Sequence, residues 1–410
     1  MTAVAADRIG SAEWAFAVAA ELAAEFGPGA AGRDRERTLP HAEIDRLAAS
    51  GLLAVTVPAE LGGADLPPSA VAEVVRVLAT ADPNIAQIPH SHFVYVNLLK
   101  LAGSPQQRIR YLGAVLEGAK LANAQAERSS STSARICTTL RPAPGGFRVD
   151  GTKFYCTGSL FADILAVLTR LDDPAGSTGL PDGEYVALLP ANTPGVHILD
   201  DWDALGQRTT GSGTVEFDGV AVGVDQVVAR ADAVNAPTGY GAFAQLLHAA
   251  IDAGIARGSL EAAARFVRTA SRPWFEAGVA KAADDPLLIQ RFGELGVEVV
   301  AAESALAAAG AAVDRATGHT PAPGSTDAEA SGHASLAVAA AKVLTDRAAN
   351  EVAAAVFEVG GTRSAGVGTD LDHFWRNART HTLHDPVRWK YQHIGRALLQ
   401  GTPPPLHGVI

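Results

Sequence analysis

Two histidines three residues apart, His381 and His384, stand directly before Asp385 and Pro386 near the C-terminus of this 410-residue chain. That spacing can turn both imidazoles toward one side, and the proline limits where the next helix begins. Histidine is the side chain best suited to hold or pass a proton near neutral pH, so the segment reads as a proton-handling cluster. A second candidate is His92, in the run His90-Ser-His-Phe-Val-Tyr95. On so apolar a stretch, a hydrogen-bonded core histidine is an equal alternative to a reactive one. His373, His381, His384 and His393 are neighbours in sequence, yet no Cys or Glu completes a familiar ligand spacing, and no metal site is expected. Cys156 has no base beside it to make it a thiolate, so it reads more readily as a small buried residue than as a nucleophile.

The elements that carry these residues fall into three zones. Up to about residue 122 the pattern is helical: Ser11 to Phe26 with a Gly-Pro-Gly stop, His41 to Ser50, Pro68 to Thr80, and Ile85 to Leu101, with an extended connector over Leu52–Gly63. From about Leu121 to Val228, short apolar segments alternate with Gly, Pro, Asp and Asn clusters: Ile136–Leu140, Phe147–Val149, Lys153–Thr157, Ile164–Thr169, Tyr185–Leu189, Val196–Leu199 and Gly213–Phe217. These predict a small antiparallel β-barrel or sandwich. Beyond Pro237 come three alanine-rich helical stretches, Ala242–Ala280, Asp285–Thr317 and Ala328–Val359, and a short final helix near Tyr391–Leu399. They predict a four-helix bundle whose alanine faces also meet other subunits. The fold class is therefore α+β and mostly α, with an N-terminal helical domain over 1–122, a β-domain over 123–235 and a helical, oligomer-forming domain over 236–410.

Composition narrows the partners. A net charge of −11 with no long basic run makes nucleic acid and anionic membranes poor partners. Two cysteines, Cys137 and Cys156, exclude a disulfide framework and fit a reducing cytoplasm. The alanine-rich stretches are broken by Glu, Asp, Lys and Arg, so no membrane span and no signal peptide is expected.

In their order and spacing, several stretches resemble the acyl-CoA dehydrogenase superfamily. They are Gly51–Gly63, Asp150-Gly-Thr-Lys-Phe-Tyr-Cys-Thr-Gly158, Leu205-Gly-Gln-Arg-Thr-Thr-Gly-Ser-Gly213, Ala253-Gly-Ile-Ala-Arg-Gly258 and Glu358-Val-Gly-Gly361. Phe154–Asp163, Ser271-Arg-Pro-Trp274, Asn377–Tyr391 and Pro404–Gly408 look most like its flavin-dependent monooxygenase branch, which acts on organosulfur compounds. The resemblance implies a two-component enzyme: a separate reductase supplies reduced FMN, the flavin adds O2 at C4a, and oxygen passes to the sulfur of a small substrate. The alternative is an FAD-dependent acyl-CoA dehydrogenase, whose glutamate base falls nearest to Asp385 here, one methylene shorter and followed by proline.

By the same resemblance, His384, His92 and Asn123 are the catalytic candidates. Asn123, Cys156 and Thr157 would line the flavin. Arg272, Gly360, Gly361 and Arg363 would hold its phosphate, one of them across a subunit interface in a homotetramer. The run Ser129–Ser133 stands where the family carries an acidic loop and is a candidate phosphate or substrate-entry loop.

Overall fold

The computed structural model describes residues 8–128 and 135–408, so the Ser129–Ser133 run lies outside the described residues. The N-terminal part is helical: α1 (Ala12–Glu36), α2 (His41–Ala49), α3 (Pro68–Ala81), α4 (Pro83–Gln87), α5 (His90–Ala102), α6 (Pro105–Gln107) and α7 (Gly113–Leu116). The strands follow: β1 (Leu121–Ala124), β2 (Thr139–Ala143), β3 (Gly146–Lys153), β4 (Ile164–Leu171), β5 (Glu184–Pro190), β6 (Val196–Ile198), β7 (Val215–Gly223) and β8 (Val227–Ala229). After the short α8 (Ala231–Val234) come α9 (Tyr240–Thr269), α10 (Pro286–Ala316), α11 (Asp327–Gly360), α12 (Asp372–His381) and α13 (Arg388–Gln400).

The Gly-Pro-Gly at 27–29 does not supply the predicted stop; α1 runs through Pro28 to Glu36. Tertiary contacts at this turn come from Arg33. Its guanidinium folds back over the glycines, donates to the Phe26 carbonyl at 2.6 Å and pairs with Asp82 and Glu43 at 2.8 Å each. The Arg33 cation thus ties the Gly-Pro-Gly turn to α3–α4 and α2 through Asp82 and Glu43, while the Ala24 carbonyl is the one that Pro28 leaves without a helical donor. The expected helix over 85–101 is split at Ile88-Pro89 into α4 and α5, because proline cannot donate to the preceding turn. The connector at 52–63 contains two 3₁₀ turns, Leu52–Ala54 and Ala59–Leu61, rather than extended chain.

The β-domain is one eight-stranded sheet that does not close into the expected barrel. Its strand order is β6-β7-β3-β2-β4-β5-β8. It is mixed, not purely antiparallel: β1 and β2 both run parallel to β4, β1 against Ile164–Val167 and β2 against Arg170–Leu171. The two strands lie end to end along one side of β4, so the chain between them leaves the sheet just beyond Asn123. The C-terminal half has three long helices, and a helix from the other end of the chain packs against two of them. Helix α3 packs on both α9 and α10, and a single apolar core unites residues of α1 to α3 with α9 to α12.

Two glycines allow that union. A Cβ at Gly254 would lie 2.5 Å from the Arg76 carbonyl oxygen and from Ala79 Cβ, and one at Gly258 would run into the Thr80 carbonyl. Backbone of α3 therefore lies directly on α9. The Gly258→Val variant is expected to lose about 2–3 kcal/mol of unfolding free energy in urea titrations, as overpacking against backbone costs. An unchanged midpoint would rule out this close approach.

Candidate active site

Helix α5 ties the helical core to the sheet through two histidines that face different ways. His92 accepts the Leu121 N–H on Nδ1 at 3.1 Å and donates from Nε2 to the Leu53 carbonyl at 2.8 Å. Both ring nitrogens are committed to backbone, the ring is buried, and burial pushes its pKa down to about 4 against the pull of Leu53. This geometry holds β1, and with it Asn123, against the helices. His90, two residues earlier, donates Nε2–H to the Ala244 carbonyl of α9 at 2.9 Å.

His90 is the first of three stacked imidazoles. Its ring centroid lies 3.9 Å from that of His248, which lies 3.8 Å from that of His384 on the other side. Two charged rings so close would repel by about 4 kcal/mol at an effective dielectric of about 20, so the stack holds no more than one proton. His90 and His248 are buried, while the His384 side chain is 41% exposed. Burial pushes His90 down to about 3, and burial together with His384 and His90 pushes His248 well below its ordinary value.

Beneath the stack, His248 Nδ1 is 3.2 Å from His381 Nε2, which also lies 3.1 Å from the Gln87 side-chain oxygen. His381 Nδ1 meets Asp252 Oδ1 at 2.5 Å, and Lys342 Nζ donates to Asp252 Oδ2 at 2.6 Å. Burial alone would raise the Asp252 carboxyl, but Lys342 and His381 more than reverse this and hold it below its ordinary value. Among the described residues, no set of three His, Cys, Asp or Glu side chains is arranged to hold a metal ion.

Asp385 is not a free base. It is buried, with Oδ2 3.0 Å from Lys390 Nζ and Oδ1 3.4 Å from His384 Nδ1. Burial would raise its pKa, but His384 and Lys390 hold it far below the carboxylate range.

The loop over 205–213, seated on α12, is rich in hydroxyls. Thr157 Oγ1 lies 2.8 Å from Ser212 Oγ, which is 2.6 Å from Thr210 Oγ1. Thr210 in turn donates to the Gln207 carbonyl at 2.9 Å. The loop is clamped to α12, where Gln207 N–H donates to Asn377 Oδ1 at 2.6 Å; a side chain at Gly206 would strike the Arg376 carbonyl. Cys156 lies in the sheet core with no exposure, and burial pushes its thiol up to about 12, which suits a packing residue. Asn123 sits on β1, and its Oδ1 is buried without a hydrogen-bond partner. Such an orphaned acceptor fits a polar ring edge bound beside it.

The remaining sequence candidates gather elsewhere. Arg363 donates to the Ala270 carbonyl at 2.8 Å, and Ser271 Oγ to the Gly360 carbonyl at 3.3 Å, which groups Arg272, Gly360, Gly361 and Arg363 at the far ends of α9 and α11. From His248 to the end of α9 is about 30 Å at 1.5 Å per residue. Within one protomer the two groups are too far apart for a single FMN to span. Sequence reasoning missed His90, His248, Asp252 and Lys342. The available signal was His248 and Asp252, four residues apart in the otherwise apolar run of α9.

Profiles of the acyl-CoA dehydrogenase N-terminal, middle and C-terminal domains match residues 13–119, 122–220 and 246–389. The chain belongs to the acyl-CoA dehydrogenase family. It is 35% identical over 394 residues to a dibenzothiophene monooxygenase of Mycolicibacterium goodii, covering 93% of this chain and 92% of that protein. It is 29% identical over 394 residues to the probable FMNH2-dependent monooxygenase SfnC of Pseudomonas putida, covering 95% and 96%. The crystal structure of FMN-bound TdsC from a Paenibacillus species superposes with a TM-score of 0.88 at 34% identity, covering 97% of this chain and all of that one.

The buried histidines have a consequence for stability. An unfolded histidine takes its proton near 6.5, whereas folded His90 and His92 do so only near 3 and 4. Their contribution is fully present above pH 6.5 and is lost as pH falls, because the unfolded state then binds more protons. Urea unfolding is expected to lose about 2 kcal/mol per buried histidine between pH 6.5 and 5. A stability independent of pH over that interval would contradict neutral buried rings.

Proposed function

We propose that this protein is a two-component, reduced-FMN-dependent monooxygenase that transfers one oxygen atom of O2 to the sulfur of an organosulfur compound, with FMN supplied by a separate reductase. The observation that carries the reading is the contrast between His384 and Asp385. The carboxylate a dehydrogenase would need for α-proton abstraction is buried and paired with Lys390, while the neighbouring imidazole is partly exposed at the outer end of a stack whose other two rings are buried. Similarity along almost the whole chain to monooxygenases of this kind supports it.

When bound, reduced flavin supplies the oxygen-activating chemistry. The chain's own residues bind, orient and handle protons around it. The unpartnered Asn123 Oδ1 and the Thr157–Ser212–Thr210 hydroxyls would meet the polar edge of the ring. His384 would hold the proton that the reaction exchanges, and His92 acts by fixing β1. Arg272 and Arg363, with the Gly360-Gly361 turn, would grip the phosphate of a flavin bound mainly by a neighbouring protomer. Exposed Leu287, Ile289, Val297 and Val300 on α10, the one described helix long and apolar enough to cross a membrane, support burial against other copies in a homotetramer.

The test is anaerobic loading with reduced FMN, mixing with O2, and chromatography of dibenzothiophene as probe. Sulfoxide or sulfone formation is expected, with a loss of about 100-fold or more in His384→Ala. FAD that copurifies tightly, with dye reduction driven by an acyl-CoA, would overturn the reading in favour of the dehydrogenase. An assay of Arg363→Ala mixed with His384→Ala protomers is expected to recover activity if phosphate and ring sites come from different copies.

A further inference from the structure

Behind His384 the protein buries four ionisable groups in a single chain: Lys342, Asp252, His381 and His248, at successive distances of 2.6, 2.5 and 3.2 Å. The chain ends on the ring that stacks under His384 at 3.8 Å. Each link dictates the next. Lys342 neutralises Asp252, so His381 need not carry charge to satisfy the carboxylate. His381 gives its Nδ1 proton to the Asp252 contact, which leaves Nε2 as an acceptor, a tautomer that requires the Gln87 amide to turn its N–H2 rather than its oxygen toward that nitrogen. His248 fills that acceptor with its own Nδ1–H and stays neutral.

We propose that this chain is a charge-setting device: it keeps His248 neutral beneath His384, and so makes His384 the one ring of the stack that takes a proton. Lys342, Asp252, His381 and His248 are then positioning residues, acting through His384 rather than on a substrate. The other groups around the stack leave this balance intact. His90 faces it from α5, Asp346 from α11, and Asp385 and Lys390 from the entry to α13 and from α13 itself. Lys390 and Asp385 cancel as a pair. Asp346 is raised to about 6 by burial and by Asp252, while Lys342 and Arg379 favour its ionised form and balance its charge.

Lys342 is therefore the sensitive point. Without it, Asp252 has only His381 to supply a positive charge, and a charged His381 beside His248 opposes protonation of His384. The experiment is a ¹⁵N-histidine NMR titration of the ligand-free full-length protein, as wild type, Lys342→Met, and the Asp252→Asn/Lys342→Met double variant. In the wild type, His381 and His248 are expected as Nδ1–H tautomers that stay neutral while His384 takes its proton. In Lys342→Met, His381 is expected to become charged, and the pH at which His384 protonates to fall by about one unit or more, a tenfold loss of proton affinity. The double variant, which removes both charges, is expected to restore the wild-type titration. Restoration sets this apart from simple damage to packing.

In its catalytic consequence the inference rests on the monooxygenase reading. There, turnover at pH 7 is expected to drop about tenfold in Lys342→Met, recover at lower pH, and return in the double variant. Titration of His248 or His381 ahead of His384 in the wild type overturns the proposal, even where Lys342→Met does not fold. So does a Lys342→Met protein in which His384 titrates as in the wild type. A wild type that forms no oxygenated product with reduced FMN overturns the monooxygenase reading instead, and leaves the NMR result to decide the charge-setting role.

Discussion

An ammonium and a carboxylate with essentially no exposure, Lys342 and Asp252, lie 2.6 Å apart in the alanine-lined contact between α11 and α9. Removing either charge from water is costly, and only the presence of the other makes the burial tolerable. Replacing the pair with apolar residues would make a simpler core. Its retention in the middle of the longest helices makes sense through what it anchors: one imidazole fixed by hydrogen bonding, a second fixed by the first, and a stack that reaches the candidate active site. Helix α12 packs on both of these helices and α3 packs on α9, so the ion pair also stands where the halves of the chain meet.

The site is assembled from parts that lie far apart in the chain. α5 contributes His90 and, through His92, fixes β1. α9 supplies His248 and Asp252, α12 supplies His381, and the turn between α12 and α13 supplies His384 and Asp385. The loop that carries Thr210 and Ser212 is not free to choose its own place, since Gln207 and Gly206 seat it on α12. What looks in the sequence like a local His-x-x-His-Asp-Pro motif is therefore the visible end of a network that crosses the whole helical core.

This explains which features the sequence disclosed. Two of the three long helices were legible to within a residue or two: Asp285–Thr317 is observed as Pro286–Ala316, and Ala328–Val359 as Asp327–Gly360, whereas the helix expected over Ala242–Ala280 is Tyr240–Thr269 and gives way before Pro273 to a loop with two 3₁₀ turns. β1 and β8 were not, being four and three residues long and defined by pairing with strands far away in sequence. The stop expected at Gly27-Pro28-Gly29 did not occur; there Arg33 ties the helix to Asp82 and Glu43, tertiary contacts that local rules do not contain. At the site, His384 and its neighbours could be read as a proton-handling group. Its partners could not, because Lys342 and His381 reach Asp252 from 90 and 129 residues away.

The seating of the 205–213 loop on α12 has a further meaning. With Gly206 lying against the Arg376 carbonyl and Asn377 holding the Gln207 N–H, loop and helix move as one body. The hydroxyls of Thr157, Thr210 and Ser212 thus keep a fixed place relative to α12. The conformational entropy of arranging them is lost once, during folding, and not again each time a ligand arrives.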